Sequence, residues 1–190
     1  MLNVIRTAKN LWIDISVQKA FLGGRVKSID GTKIIYDSVG TPYNITRLIF
    51  FELYPIKETD ILIDVGCGKG RVFNYLLYRG AKNKMIGYEI NSTVANKTKR
   101  RLSKYKNVEI RCEDIFDNFP AEGNVFYLFN PFNHEMMVSF SNAILKMKSI
   151  KPVILYFNPT CIDIFNNENF TYELIDIPRH YYKFAIIRVT

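Results

Sequence analysis

The sequence predicts an α/β fold built on a mostly parallel sheet, and three observations carry that expectation. Ile61 to Val65 is a short apolar run interrupted only by Asp64, and Gly66, Gly68 and Gly70 follow it at alternate positions. Val72-Phe-Asn-Tyr-Leu-Leu-Tyr78 then reads as a helix, so strand, glycine turn and helix make the opening half of a βαβ unit. Further on, Asn124 to Phe129 is apolar almost throughout, as a central parallel strand covered on both faces should be.

The remaining elements follow in order. Residues 1–22 suggest an amphipathic helix, with Leu2, Ile5, Leu11, Trp12 and Ile15 on an apolar stripe, stopped by Gly23-Gly24. Arg25 to Asp37 reads as a hairpin, because Asp30-Gly31 between β-branched segments suits a two-residue turn. Residues 1–40 are thus expected to be a helix-and-hairpin extension that lids or flanks a main domain over 41–190. A helix over 44–54 buries Ile45, Leu48, Ile49 and Leu53 before the first sheet strand. The second strand, Lys84 to Ile90, leads through the capping pair Asn91-Ser92 into a basic helix. Strands at 107–112, 124–129 and 152–157 come next, with a helix over 135–148 between the last two. A short helix near 161–165 and two strands, 170–175 and 181–189, turned by Pro178-Arg179-His180, complete the chain.

Composition narrows the function. With 190 residues, 48% of them hydrophobic, the chain suits one α/β domain with a full core. No run of about 18 apolar residues exists, so no membrane partner is expected. The three cysteines, Cys67, Cys112 and Cys161, are odd in number, scattered and without zinc spacing. They suggest reduced thiols in a cytoplasmic protein that carries no metal. The net charge of +8 is compatible with nucleic acid or an acidic substrate. Its densest run, Lys97 to Lys106, places Val94, Thr98, Leu102 and Tyr105 inward at helical spacing. A solvated helix face is favoured there over an RNA-binding patch.

The glycine spacing separates two ligands. A dinucleotide fold asks for G-x-G-x-x-G, whose third glycine would fall on Arg71. The chain has G-x-G-x-G instead, with an acid two residues ahead: Asp64-Val65-Gly66-Cys67-Gly68-Lys69-Gly70. This form resembles the first motif of the Rossmann-like S-adenosylmethionine (SAM) methyltransferases. The resemblance covers about residues 41–190. It implies a three-layer sandwich around a seven-stranded sheet of order 3-2-1-4-5-7-6, the last strand antiparallel. It also implies SAM as cofactor. Contacts to it are expected from Asp64, Gly66, Cys67, Gly68 and Gly70 in the loop, and from Glu89 and Ile90 at the second strand's end. Asp114 and Ile115 after the third strand are expected beside the adenine. Thr41-Pro42-Tyr43 resembles the segment that folds over the methionine end, which makes Tyr43 a further candidate. Independently of the resemblance, an acid about 20 residues beyond the glycine loop can accept from both ribose hydroxyls.

Asn130-Pro131-Phe132-Asn133-His134 follows the fourth strand. It resembles the Asn/Asp-Pro-Pro-aromatic segment of the amino-methyltransferases, with one proline where they have two. There the amide accepts hydrogen bonds from the target nitrogen and aims its lone pair at the methyl group. Asn130 is therefore the candidate acceptor-binding residue, also close to the cofactor, and His134 is a candidate base. The expected activity is SAM-dependent methyl transfer to a small molecule or a protein side chain. The alternatives are a SAM-binding regulatory or RNA-binding module without transfer activity, or an RNA methyltransferase.

Overall fold

The computed structural model describes the backbone of residues 2–24, 26–30, 33–147, 150–177 and 181–190, and the side chains among these except those of residues 2–6 and 26–38. Gly31 of the first hairpin turn and Pro178-Arg179-His180 of the second lie outside the described residues.

The organising sheet has seven strands: β3 (Ile61–Val65), β4 (Lys84–Tyr88), β5 (Val108–Arg111), β6 (Val125–Phe129), β7 (Val153–Phe157), β8 (Phe170–Asp176) and β9 (Lys183–Val189). Their order is β5-β4-β3-β6-β7-β9-β8. The first five run parallel, and β9 is antiparallel to both β7 and β8. Numbered within the sheet this is 3-2-1-4-5-7-6, the expected order. A separate hairpin, β1 (Val26–Asp30) with β2 (Lys33–Ser38), stands where the β-branched segments place it.

Alternate side chains of each strand point to opposite faces, which builds two cores. Leu62, Met85, Tyr127 and Leu155 face Phe50, Phe73 and Leu76 on one side. Ile63, Ile86, Phe126 and Ile154 face Phe140, Ile144 and Phe165 on the other. The first core is covered by α2 (Tyr43–Leu48), α3 (Arg71–Tyr78) and α4 (Ser92–Leu102), and the second by α5 (His134–Lys146). The helix expected over 44–54 begins as α2 and then widens into a π-type turn over Ile49–Leu53. Tyr54 N–H reaches Ile49 O at 2.8 Å, and Ile49 and Phe50 are both buried. The basic helix α4 buries Val94, Thr98 and Leu102, and Asn91 caps it by accepting from Val94 N–H at 3.0 Å.

The amphipathic helix expected at the start is α1 (Leu2–Gln18), and its apolar stripe does not face the domain. Leu11, Trp12 and Ile15 of the expected apolar stripe are 40%, 64% and 48% exposed. The inward face is Ile13, Asp14, Val17 and Gln18, all buried. Two polar residues point inward because each meets a partner there. Asp14 Oδ2 accepts from Leu22 N–H at 3.0 Å, and Gln18 Nε2 donates to Lys69 O and Gly70 O, each at 3.2 Å. Hydrogen bonding of this kind offsets the cost of burying the polar atoms.

Candidate cofactor and active site

The glycine loop leaves β3 at the carboxyl edge of the sheet, where ligands of open α/β folds gather. Gly66, Gly68 and Gly70 have φ of 77°, 54° and 71°, a left-handed sequence of alternate positions that other residues adopt only with strain. The N–H groups of Gly66 and Cys67 both donate to Tyr88 O at 2.9 Å, which ties the loop to the end of β4. One residue on, Glu89 Oε2 accepts from Gly68 N–H at 3.0 Å and Oε1 from Asn91 N–H at 2.8 Å. Thr98 of α4 donates to Gly68 O at 2.9 Å. Gly87, opposite Asp64 in the register, is required by Cys67: a Cβ there would lie 2.6 Å from its sulfur.

Two clefts open on either side of this loop and meet at Gly66. The first, about 420 Å³, is lined by Glu89, Ile90, Asp114, Ile115 and Phe132 among others. Ile115 is buried and Ile90 is 52% exposed, and Asp114 Oδ1 accepts from Phe116 N–H at 3.0 Å. The second, about 400 Å³, takes in Leu22, Gly24, Thr41, Asp64, Lys69 and Arg71. Phe129, Cys67 and Tyr127 also line it. Thr41 and Tyr127 share a 2.7 Å hydrogen bond between their hydroxyls.

The charges in the second cleft are perturbed by burial. Asp64 is 3% exposed, and its carboxylate takes no hydrogen bond from the described residues. Burial, with the nearby charge of Glu89 adding to it, pushes its pKa up to about 8. Burial also raises the pKa of Glu89, opposed by its two backbone donors. The Cys67 thiol is pushed well up, first by burial and then by the Asp64 and Glu89 charges, so it is a packing group and no nucleophile. Lys69 is lowered by burial and by Arg101 and Arg71 beside it.

The structure thus brings Asp64, Gly66, Cys67, Glu89, Ile90, Asp114 and Ile115 onto the two clefts. Gly68 and Gly70 shape the loop behind them. Tyr43 is set back: its hydroxyl donates to Asp14 and accepts from Asn74 Nδ2 at 2.8 Å, and Arg71 lies 4.3 Å over its ring. Asn130 stands between the clefts in a left-handed conformation (φ 46°), flanked by Phe129 in one and Pro131 and Phe132 in the other. Its Oδ1 accepts from Tyr156 Oη at 3.2 Å and from Thr160 Oγ1. His134 lies outside both clefts, exposed on the first turn of α5 and 3.2 Å from Asp163 Oδ2. The cap of that helix is Asn133, whose Oδ1 accepts from Met136 N–H at 2.9 Å. Sequence reasoning missed Lys69 and Arg71 as cleft residues, although they alternate with the loop glycines. It also missed Leu22 and Gly24, which no local pattern marks. Among the described residues no cluster of His, Cys, Asp and Glu could hold a metal.

Residues 62–148 match the protein family described as methyltransferase domain. That match takes in 87 of the 190 residues, a little under half of the chain. The fold agrees: an RNA methyltransferase from Salinibacter ruber, solved with S-adenosylhomocysteine, superposes with a TM-score of 0.63 at 18% identity, over 80% of this chain and 94% of that one. A SAM-dependent O-methyltransferase from Thermotoga maritima gives 0.58 at 17% identity, over 77% and 63%. Among curated proteins, ribosomal RNA small subunit methyltransferase A of Thermotoga neapolitana is 41% identical over 60 residues, 32% of this chain and 22% of that protein. Its Thermotoga maritima counterpart is 38% identical over 80 residues, 41% and 28%. The matched stretch is therefore under a third of the length of these curated relatives.

SAM is the cofactor that such a methyltransferase domain implies, and the residues present fit it. Glu89 has a free lone pair on each oxygen after its backbone bonds, enough for two ribose hydroxyls. Asp64 is a buried carboxylate with no cationic partner among the described residues, and it lines the second cleft, where it could meet a positive charge. Lys69 and Arg71 in the same cleft could meet a carboxylate.

Proposed function

We propose that the chain is a SAM-dependent methyltransferase whose acceptor is a nitrogen nucleophile brought to Asn130. The observation that carries this is Asp64. A buried carboxylate held at a raised pKa, with no hydrogen bond from the described residues and one glycine away from the cleft of Glu89, is built for a cationic ligand.

Bound SAM supplies an electrophilic methyl group on a cationic sulfur. The protein's share of the reaction is placement. Glu89 fixes the ribose, Asp64 offsets the positive charge, and Leu22, Val72 and Phe129 keep water from the second cleft. Holding nucleophile and methyl in line accounts for roughly 7–11 kcal/mol of barrier reduction. Asn130 then orients the acceptor. Its Oδ1 already takes two hydroxyl donors, so an incoming N–H meets that oxygen only when the amide turns over. Tyr156 and Thr160 then accept from Nδ2, since hydroxyls serve in either role. His134, exposed and paired with Asp163, has no part in this reading.

A small molecule or a protein side chain suits the narrow second cleft, walled by Leu22, Gly24 and Val39. An RNA acceptor is the second reading. The matches to ribosomal RNA methyltransferases and the exposed Lys97, Lys99 and Arg100 of α4 favour it. Extract from cells lacking the protein, incubated with purified protein and methyl-labelled SAM, separates these. Label that moves from SAM to another small molecule on chromatography of the filtrate, or that yields to protease, supports the first acceptor class. Label released by ribonuclease supports the second. No label transferred in any fraction overturns the methyltransferase reading.

A further inference from the structure

We propose that the outer face of α1 docks on an anionic lipid surface. Ala8, Leu11, Trp12 and Ile15 fall at i, i+3, i+4 and i+7, one stripe of the helix, and all four are exposed. The opposite stripe, Ile13, Asp14, Val17 and Gln18, is buried against the domain and hydrogen-bonded, so α1 cannot roll over to hide its apolar side. An exposed apolar stripe held outward by polar latches marks an interaction surface.

Charge decides the partner. Lys9 on α1 and Lys19 just beyond its end are exposed, and Asp14, alone among residues 7–24 in being acidic, is buried. The neighbouring element is α4. Tyr105 just beyond it donates to Val17 O at 3.4 Å, and Gln18 shares the space over Gly70 with Thr98 and Leu102. Lys97, Lys99, Arg100 and Lys104 are exposed there, and residues 92–106 contain no acid. The surface is an apolar stripe with cationic neighbours on a chain of net charge +8, complementary to anionic headgroups above acyl chains. RNA is the poorer match. Bases stack on aromatic rings, and Leu11 and Ile15 offer them neither a ring nor a hydrogen bond. A second copy is poorer again, because the same cations would face each other. The absence of a long apolar helix among the described residues excludes only a helical span there, and surface contact needs none.

Trp12 is the single tryptophan of the chain, so its emission reports from the proposed surface. The full protein is mixed with phosphatidylcholine vesicles, with and without about 30 mol% phosphatidylglycerol. A blue shift and co-sedimentation are expected with the anionic vesicles, at about tenfold tighter partitioning than with neutral ones. The double variant Leu11→Ser/Ile15→Ser keeps every charge and should lose about tenfold in partitioning at an unchanged melting temperature. Quenching of wild-type Trp12 by acyl-brominated lipid gives the same answer without a variant. Absence of any shift or quenching with anionic vesicles overturns the proposal. So does undiminished binding by the double variant, which would leave charge alone responsible. A Trp12 response to an RNA oligonucleotide or to protein concentration, without one to vesicles, overturns it in favour of those occupants.

Discussion

The two clefts meet at Gly66 but are held in different ways. The Glu89 cleft is built at the ends of neighbouring parallel strands, and its key bonds run between residues about 20 apart: Gly66 and Cys67 to Tyr88, Gly68 to Glu89. The Asp64 cleft is closed by a segment from far upstream. Leu22 and Gly24 form its wall because Asp14 holds Leu22, Lys69 reaches Gly23 O at 2.6 Å, and Gln18 spans to Gly70. One cleft is a property of the sheet edge. The other depends on side chains meeting across some 50 residues of sequence, and its failure should register as lost stability as well as lost affinity.

The largest effect that would break this contrast is at Glu89. Glu89→Ala should weaken S-adenosylhomocysteine binding by about 10- to 150-fold, the worth of hydrogen bonds to a charged group, measured by calorimetry. Unaltered affinity would detach the ribose from that cleft. At the seam, Asn130→Ala should lower turnover about 100-fold while affinity for S-adenosylhomocysteine stays within about threefold. A variant that merely melts earlier, with normal turnover per folded molecule, would make Asn130 a tie between β6 and the segment after β7.

Asp14→Ala sharpens the comparison from the other side. It leaves the buried donors of Leu22 and Tyr43 unsatisfied and should cost about 2 kcal/mol of stability in a denaturant titration. Loss of stability equal to that of an exposed Lys9→Ala control would mean that α1 does not brace the second cleft. The smallest expected effect is in pH. Asp64 has a folded-state value of about 8, above the usual value of about 4 for an unfolded chain. The free folded protein therefore binds an extra proton between those limits, and its stability falls as pH rises from about 4 to about 8. A cationic ligand needs the ionised form, so SAM affinity should rise about fivefold between pH 7 and pH 8, with proton release on binding. Asp64→Asn should flatten both profiles, and a wild-type profile already flat would remove Asp64 from the ligand.

The same contrast explains what the amino-acid sequence discloses. The strands and the residues of the Glu89 cleft were readable from local patterns, an apolar run, alternate glycines and an acid at a strand end, whereas the strand order rested on the family resemblance that those residues carry. The facing of α1 was not. Leu11, Trp12 and Ile15 form an apolar stripe whose facing hydrophobicity does not decide, and what turns them outward is the pairing of Asp14 and Gln18 with partners up to 52 residues away. Tyr43 follows Thr41, which lines the second cleft, but its own hydroxyl is taken up by Asp14 and Asn74. Such bonds leave no periodic trace.

The position of β9 has a consequence for how the molecule is assembled during synthesis. β8 precedes β9 in the chain, yet β9 lies between β7 and β8 and is the one sheet partner of β8 among the described residues. Translation therefore delivers β8 as an orphan, with Tyr172 and Leu174 in a strand that has nothing to pair with until Lys183–Val189 follows. Until then β7 presents a bare hydrogen-bonding edge, the kind that recruits strands from other chains. A nascent chain paused between these strands on the ribosome would thus be most open to chaperone capture or to mispairing, although five parallel strands are already complete.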